Sequence, residues 1–489
     1  MNNSIVFVSP PLSTKERYGV KTRGGGQTPP LGLANLAAMT RKHGVKTAII
    51  DAAALMLDEE EVAREILKQE FTYVGFTAVT ISVGHAARVA GIIKNTNKSI
   101  TTIIGGPHLT AVPHETMNRY PEFDIGVIGE GDYTIVDLLE ALENGKDLSL
   151  IRGLIIRANS GLCVTSPRER IRNLDDLPMP AWDLLPNLAK YYCPPVHTLK
   201  RIPAGLLIAS RGCPGRCTFC ANIVFGKVMR AYSAEYTFEM IKDLYYTYGI
   251  REIQLRDDNF TAYRKRMIEL CEILKREKLD LVWTCAGRVD MVDPILLRTM
   301  KEAGCWQIWY GIESGAQAIL DKIKKNTTIE QIEKAVRITK EAGISPCGFF
   351  ILGHPTETRK SLEATINLSI KLHLDEAHFG FMTPLPGAEI YHHTEEYGTF
   401  DDDWEKLNGW FPVFVPYGLT VEELVRYSKT AFWKFYFRPR IVFAYLKKIK
   451  SWRHLMFYFS GLVGLLEFLV REKSNKVNLG KFSRSSKKS

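Results

Sequence analysis

Three cysteines fall within eight residues of this chain, in the segment Arg211-Gly-Cys-Pro-Gly-Arg-Cys-Thr-Phe-Cys220. Thiolates spaced four and three residues apart can converge on one face of a loop and bind three irons of a four-iron, four-sulfide cube. The fourth iron then lacks a protein ligand and stays open to a small molecule. A zinc site would want a fourth Cys or His nearby. The nearest, Cys193 and His197, lie upstream across a predicted strand, and downstream none occurs before Cys271. Three unrelated core cysteines fit poorly with Gly212, Pro214 and Gly215, which make the segment an irregular loop at a strand end, where ligands belong. The other six cysteines, Cys163, Cys193, Cys271, Cys285, Cys305 and Cys347, are scattered, mostly in apolar runs, and read as core residues. Nine cysteines in all, an odd number with one tight group, suit a reduced cytosol and a metal site better than a disulfide framework.

That loop must be positioned by a strand ahead of it and helices behind it. The 489 residues allow two or three domains, and 45% hydrophobic with 24% charged residues is an ordinary globular composition. Nothing at the N-terminus reads as a signal peptide. Short apolar runs alternate with helical stretches twice along the chain, so the fold class is α/β. Residues 1–150 give strand candidates Ser4–Val8, Lys46–Ile50, Tyr73–Ala78, Thr101–Gly105 and Ile125–Ile128, a doubly wound, Rossmann-like domain whose ligands should sit beyond the carboxyl ends of its strands. Residues 151–195 read as a connector, proline-rich around Asp175-Asp-Leu-Pro-Met-Pro-Ala-Trp182. Within residues 196–390 the candidates are Leu206–Ser210, Glu252–Arg256, Leu281–Cys285, Gln307–Tyr310, Ser345–Leu352 and Glu376–Met382. Six βα units make a partial (β/α)6 barrel of the TIM type. Residues 391–489 read as a mostly helical region with a basic tail.

The cysteine motif, with Phe219 in its aromatic place, resembles that of the radical S-adenosylmethionine superfamily. So do Arg256-Asp-Asp-Asn-Phe260 after the second barrel strand, Arg288 after the third, Tyr310-Gly-Ile-Glu-Ser-Gly315 at the fourth and Phe350-Ile-Leu-Gly-His-Pro-Thr-Glu357 at the fifth. Thr383-Pro-Leu-Pro-Gly-Ala-Glu-Ile-Tyr391 follows the sixth. The likeness extends over about residues 1–395, and the domain order is similar to the subgroup with an N-terminal cobalamin-binding domain. It implies three cofactors: a [4Fe–4S] cluster on Cys213, Cys217 and Cys220; S-adenosylmethionine held by Phe219, Asp257, Asp258, Arg288, Glu313 and Ser314; and cobalamin. A carboxylate of Asp257 or Asp258 would accept from the cofactor's ammonium group, Arg288 would pair with its carboxylate, and Glu313 would meet ribose hydroxyls or polar methionine atoms. Cobalamin would lie against Thr77, Thr80, Ser82, Gly105, Gly106, Pro107, Gly129 and Glu130. The sequence departs from many cobalamin proteins in having no DxHxxG loop, and His43, His85, His108 and His114 all stand in other settings. A cobalt without a protein histidine is therefore expected.

The chemistry implied is a radical reaction, with methylation of an unactivated carbon as the leading reading. A ring-forming or rearranging reaction, as in the anaerobic cyclase of bacteriochlorophyll synthesis, is the alternative. A methylthiolating enzyme would carry a second three-cysteine motif, and a sensor without turnover would not need the downstream cofactor motifs. The expected partners are a small-molecule, lipid or peptide substrate and an electron donor such as flavodoxin or ferredoxin, in the cytoplasm. The net charge of +10 is local: residues 434–489 sum to +12 and the rest to −2. Aromatics interleave with bases in Phe432-Trp-Lys-Phe-Tyr-Phe-Arg-Pro-Arg-Ile-Val-Phe-Ala-Tyr445, which suits peripheral membrane contact or a helix packed on the barrel. The uncharged run Leu455–Leu466 falls short of the ~20 residues a membrane span needs. No nucleic-acid recognition fold accompanies the charge, so none is expected as a partner.

Overall fold

A computed structural model describes residues 4–19, 25–159, 161–195 and 198–448, and the single residue Val463. The readings made on His197, on Leu455–Leu466 and on the tail beyond Val470 lie outside the described residues.

The first half is built on a seven-stranded sheet in the order β2-β1-β3-β4-β5-β6-β7. Five strands are parallel: β1 (Ser4–Ser9), β2 (Lys46–Asp51), β3 (Tyr73–Thr77), β4 (Thr101–Gly105) and β5 (Ile125–Val127). Their continuous apolar runs are what a sheet covered by helices on both faces requires. Ile5, Phe7 and Tyr73 face one core, while Val6, Val8 and Val74 face another. Two antiparallel strands, β6 (Leu154–Ala158) and β7 (Gly161–Val164), finish the sheet. The supposed connector therefore belongs in its first part to the N-terminal sheet. These strands are short and half-exposed, so they carry little of the apolar pattern that marks a parallel strand.

The second half is a six-stranded parallel sheet, ordered β15-β14-β13-β12-β11-β8. Its strands are β8 (Ala204–Leu207), β11 (Glu252–Leu255), β12 (Val282–Gly287), β13 (Cys305–Glu313), β14 (Ser345–Leu352) and β15 (Glu376–Phe381). Between β8 and β11, β9 (Ser210–Arg211) and β10 (Arg230–Ala231) form a two-residue antiparallel pair that closes the base of the cysteine loop. Alternation sorts each barrel strand into two sets. Ile308, Tyr310, Ile312, Phe350 and Phe379 pack outward on the helices, and the Tyr310 hydroxyl lies 2.8 Å from that of Thr339. Trp309, Gly311, Glu313, Phe349, Ile351, His378 and Gly380 are left for the interior.

The C-terminal region is mostly helical, as expected, with one short strand pair. The strands β16 (Gly398–Phe400) and β17 (Phe414–Pro416) pair antiparallel before the helix Val421–Tyr436, which packs Leu424, Ala431, Phe432 and Phe435 against the barrel. A Thr420/Glu423 capping box starts that helix. Trp433, Phe443 and Leu446 remain exposed. No helix among the described residues is long and apolar enough to cross a membrane.

Candidate cluster and cofactor site

The cysteine loop leaves β9 through Gly212, whose φ of +89° is left-handed. A β-carbon there would come within 2.5 Å of the Val228 carbonyl, so only glycine lets the two passes of chain approach. The loop is then pinned by its backbone. Cys213 N–H donates to the Gly226 carbonyl (3.1 Å), Thr218 N–H to Ile323 (3.0 Å) and Cys220 N–H to Cys217 (3.2 Å). Around Gly215 the site is tight: a β-carbon there would lie 3.4 Å from Cys213 Sγ, 3.9 Å from Cys217 Sγ and 3.8 Å from a guanidinium nitrogen of Arg288. Among the described residues no three His, Cys, Asp or Glu side chains gather around a single-ion site, as one zinc would need. A cube places each sulfur on a different iron, and this donor set fits it. Burial, then the neighbouring Cys217, Asp258 and Cys213, push the Cys220 thiol up to about 11. Holding three thiolates here takes the positive charge of bound iron.

The residues expected around S-adenosylmethionine separate into two kinds. Asp257 is 4% exposed, and its carboxylate accepts from Ala209 N–H (2.6 Å) and Ser210 N–H (3.2 Å). It braces the end of β8, and burial raises its pKa to about 6. The exposed member of the pair is Asp258, which is close enough to Cys220 to influence its thiol. Arg288 is half-buried beside the cysteines, bonded to Asp290 (2.9 and 3.1 Å) and to the Lys325 carbonyl (2.9 Å). Glu313 accepts from Lys325 Nζ at 2.7 Å, a buried ion pair beside Cys217. Ser314 differs from the expectation. It is fully buried, its Oγ lies 3.1 Å from Thr365 Oγ1 and accepts from Ala316 N–H, so it shapes the turn and offers nothing to a ligand. Phe219 is half-buried against the ring of His354, 5.7 Å between centroids. Lys325 is not singled out by the sequence, and His354 stands there only as part of the Phe350–Glu357 motif, with no role assigned to it. His354 is wholly buried without a hydrogen-bond partner for either ring nitrogen, and burial pushes its pKa down to about 3, so it stays neutral. Only the Gly-His-Pro turn marked it.

At the carboxyl ends of β3, β4 and β5 the expected cobalamin loops do come together. Gly106 has φ +96°, and a β-carbon there would meet Thr77 Oγ1 at 2.8 Å. Gly129, at φ +83°, has open space where its side chain would be, so a large flat ligand can approach its backbone. Pro107 is exposed and Gly105 half-exposed beside them. Thr80 Oγ1 lies 3.2 Å from His108 Nδ1, while Ser82 is buried with its hydroxyl on Val79. His108 is sealed beneath the Trp404 ring, 4.3 Å away edge-on, and burial lowers its pKa to about 4. These open glycine turns fit cobalamin.

Glu130 corrects the sequence expectation. Its carboxylate takes Arg230 at 2.8 Å, Arg211 at 3.3 Å and the Ile171 N–H at 2.9 Å, which leaves nothing for cobalamin. Arg211 forks onto Asp132 at 2.7 and 3.0 Å. All four side chains are less than a tenth exposed. Burial disfavours the Arg211 charge, but Asp132 more than offsets this and raises its pKa. Two acids from the cobalamin-type domain thus clasp two arginines of the β9–β10 pair, directly below Cys213.

A parallel barrel with a three-cysteine loop at the end of its first strand, clasped to a doubly wound domain with open glycine turns, defines a radical S-adenosylmethionine enzyme with an attached cobalamin domain. Residues 207–369 match the Radical SAM superfamily and residues 19–139 the B12 binding domain. An uncharacterized methyltransferase of Pyrococcus horikoshii is 38% identical over 90% of this chain and 93% of its own length. The anaerobic magnesium-protoporphyrin IX monomethyl ester cyclase of Rubrivivax gelatinosus is 31% identical over 82% of this chain and 72% of its own. The fold is shared with the radical S-adenosylmethionine methyltransferase TsrM of Kitasatospora setae (TM-score 0.69, 16% identity, 90% of each chain). It is shared as well with the cobalamin-dependent radical enzyme OxsB (TM-score 0.71, 18% identity, 94% of this chain and 72% of that one). The chain belongs to the cobalamin-dependent radical S-adenosylmethionine enzymes, whose working set is a [4Fe–4S] cluster, S-adenosylmethionine and cobalamin.

Proposed function

We propose that this enzyme methylates an unactivated carbon of a small-molecule, lipid or peptide substrate in the cytoplasm, drawing electrons from a flavodoxin or ferredoxin. The observation that supports methyl transfer most is the 38% identity to a protein named as a methyltransferase over nearly the whole of both chains. When bound, the cofactors supply a one-electron source, a radical initiator and a methyl carrier; the protein positions them and excludes side reactions. Cys213, Cys217 and Cys220 would hold the cluster. Asp258 would accept hydrogen bonds from the ammonium group of S-adenosylmethionine, and Arg288 would meet its carboxylate beside the open iron. Glu313 is held by Lys325 with one carboxylate oxygen, leaving the other for a hydroxyl. Gly106 and Gly129 would carry cobalamin, with Thr77 and Thr80 at the rim of its pocket.

A methylase of this kind uses about two S-adenosylmethionine molecules per product, one for the methyl group and one for the radical. Anaerobic turnover should therefore give S-adenosylhomocysteine and 5′-deoxyadenosine in equal yield, and a chain with all three cysteines changed to Ala should give no 5′-deoxyadenosine and no methylated product. Deoxyadenosine without S-adenosylhomocysteine would favour the second reading, a ring-forming reaction, to which the 31% identity with a cyclase lends support.

A further inference from the structure

The interior of the half-barrel carries a continuous aromatic wall. On β13, β14 and β15 the interior-facing Trp309, Phe349 and His378 are neighbours, with ring centroids 4.8 Å apart for Trp309–Phe349, 5.4 Å for Trp309–His378 and 5.7 Å for Phe349–His378. Trp410 continues the wall from the segment between β15 and β17, 6.1 Å from His378. Phe349, His378 and Trp410 are half-exposed, unlike the outward-facing Phe350 and Phe379, which are sealed under helices. Next along the same face, Gly380 has no side chain, and a β-carbon there would meet only the Gly409 carbonyl at 3.5 Å. The rings are tilted by 30–59° to one another, so the result is an angled aromatic lining with open backbone beside it.

Two strands along the same sheet stands a cation, Arg256. Leu255 pairs with Cys285, and Ala286 pairs with Trp309, so Arg256 stands level with Trp309, two strands away. At the usual strand spacing that is roughly 10 Å. Arg256 is solvent-exposed, donates to Gln254, and has no carboxylate partner among the described residues. It is nonetheless surrounded by enough protein that burial lowers its pKa, the mark of a group lining a concavity. An arginine left without an acid in such a place is suited to an anionic ligand.

We propose that this chamber binds a planar conjugated substrate carrying a carboxylate or phosphate, its ring system against Phe349, His378 and Trp410, with the buried Trp309 backing them, and its anionic group on Arg256. The proposal names the substrate class for the site assigned above and rests on that reading only in taking the barrel interior as the reaction chamber. Rings at these angles favour a π-system over a saturated chain of equal size, because offset-stacked and edge-to-face contacts add to the area buried.

Full-length, cluster-loaded enzyme should be titrated anaerobically with 1-pyrenebutyrate, followed by energy transfer from tryptophan to pyrene. Palmitate, read by displacement of bound pyrenebutyrate, and neutral 1-pyrenemethanol are the comparison probes. Pyrenebutyrate should bind at least tenfold more tightly than palmitate. Arg256→Gln should weaken pyrenebutyrate about tenfold or more, as for a lost charged hydrogen bond, and leave pyrenemethanol unchanged. Phe349→Leu should weaken both pyrenes about two- to tenfold. Equal binding of palmitate, indifference of pyrenebutyrate to Arg256→Gln, or no pyrene binding by the wild-type chain would overturn the proposal. The probe contrast in wild-type protein decides the case even if a variant misfolds. None of these readouts needs turnover, so a failed methyl-transfer assay and a failed binding assay remain distinguishable.

Discussion

Asp132→Asn tests how the two halves of this enzyme are held together. In the native chain Asp132 receives both arms of Arg211, at 2.7 and 3.0 Å, and with Glu130 and Arg230 it forms a buried set of two positive and two negative charges. The substitution leaves the set with one uncompensated charge and only one oxygen facing a two-pronged donor. Breaking a buried pair from one side costs about 3–5 kcal/mol, and the retained acceptor places Asn at the lower end. Replacing both partners, Arg211→Met with Asp132→Leu, removes the stranded charge and should cost well under the sum of the two single changes. Because Arg211 lies two residues before Cys213, the single variant should also retain less iron and sulfide after anaerobic reconstitution. Guanidinium unfolding of the apo-protein, followed together with iron content, is the assay. A single variant as stable and as iron-replete as wild type would refute the clasp. So would a double variant no better than the two losses added together.

Two further outcomes follow from other parts of the molecule. Glu252, at the barrel end away from the cluster, accepts from the N–H groups of Lys200 and Arg201 and the indole of Trp306, yet burial raises its pKa to about 7. Its contribution is present below its unfolded value near 4.5 and is lost as pH rises through 7, by about 3 kcal/mol; wild type should therefore lose more melting temperature between pH 5 and 8 than Glu252→Gln, and equal slopes would contradict this. The exposed Trp433, Phe443 and Leu446, with the basic residues of 434–489, predict weak, salt-sensitive flotation with anionic liposomes that deletion of 449–489 diminishes; protein that stays unbound at low salt would assign that charge to a solvated face.

The sequence is most readable where function is written locally. The cysteine loop, its glycines and the six barrel strands are set by spacing and periodicity within a few residues, and β4 and β14 have the bounds expected from the sequence. Errors arise where a residue's role depends on distant chain. Glu130 sits in a glycine turn that looks ligand-binding, but its partners are 81 and 100 residues away. Asp257 and Asp258 are adjacent and chemically identical; only the direction in which each leaves the strand end makes one a buried brace and the other an exposed acceptor. Ser314 is taken up by Thr365, on a helix 51 residues further on. The Lys325 that holds Glu313 has no motif of its own, and His354 stands in the Phe350–Glu357 motif without any sign of its burial; only packing brings them beside the cluster loop.

The carboxylate–guanidinium clasp also has a history within each molecule's synthesis. Every strand of the first sheet is complete by Val164, while Arg211 and Arg230 are still untranslated. At ~5–20 residues per second the ribosome needs several seconds to deliver them. During that interval Glu130 and Asp132 can remain hydrated, a pair of negative charges that no guanidinium has yet reached. They are stripped of that water only when the barrel's hairpin arrives with matching charge. The desolvation cost therefore falls on the docking of the two halves, not on the folding of the first, and a nascent first half that met any other surface would find no partner for the two charges it must bury.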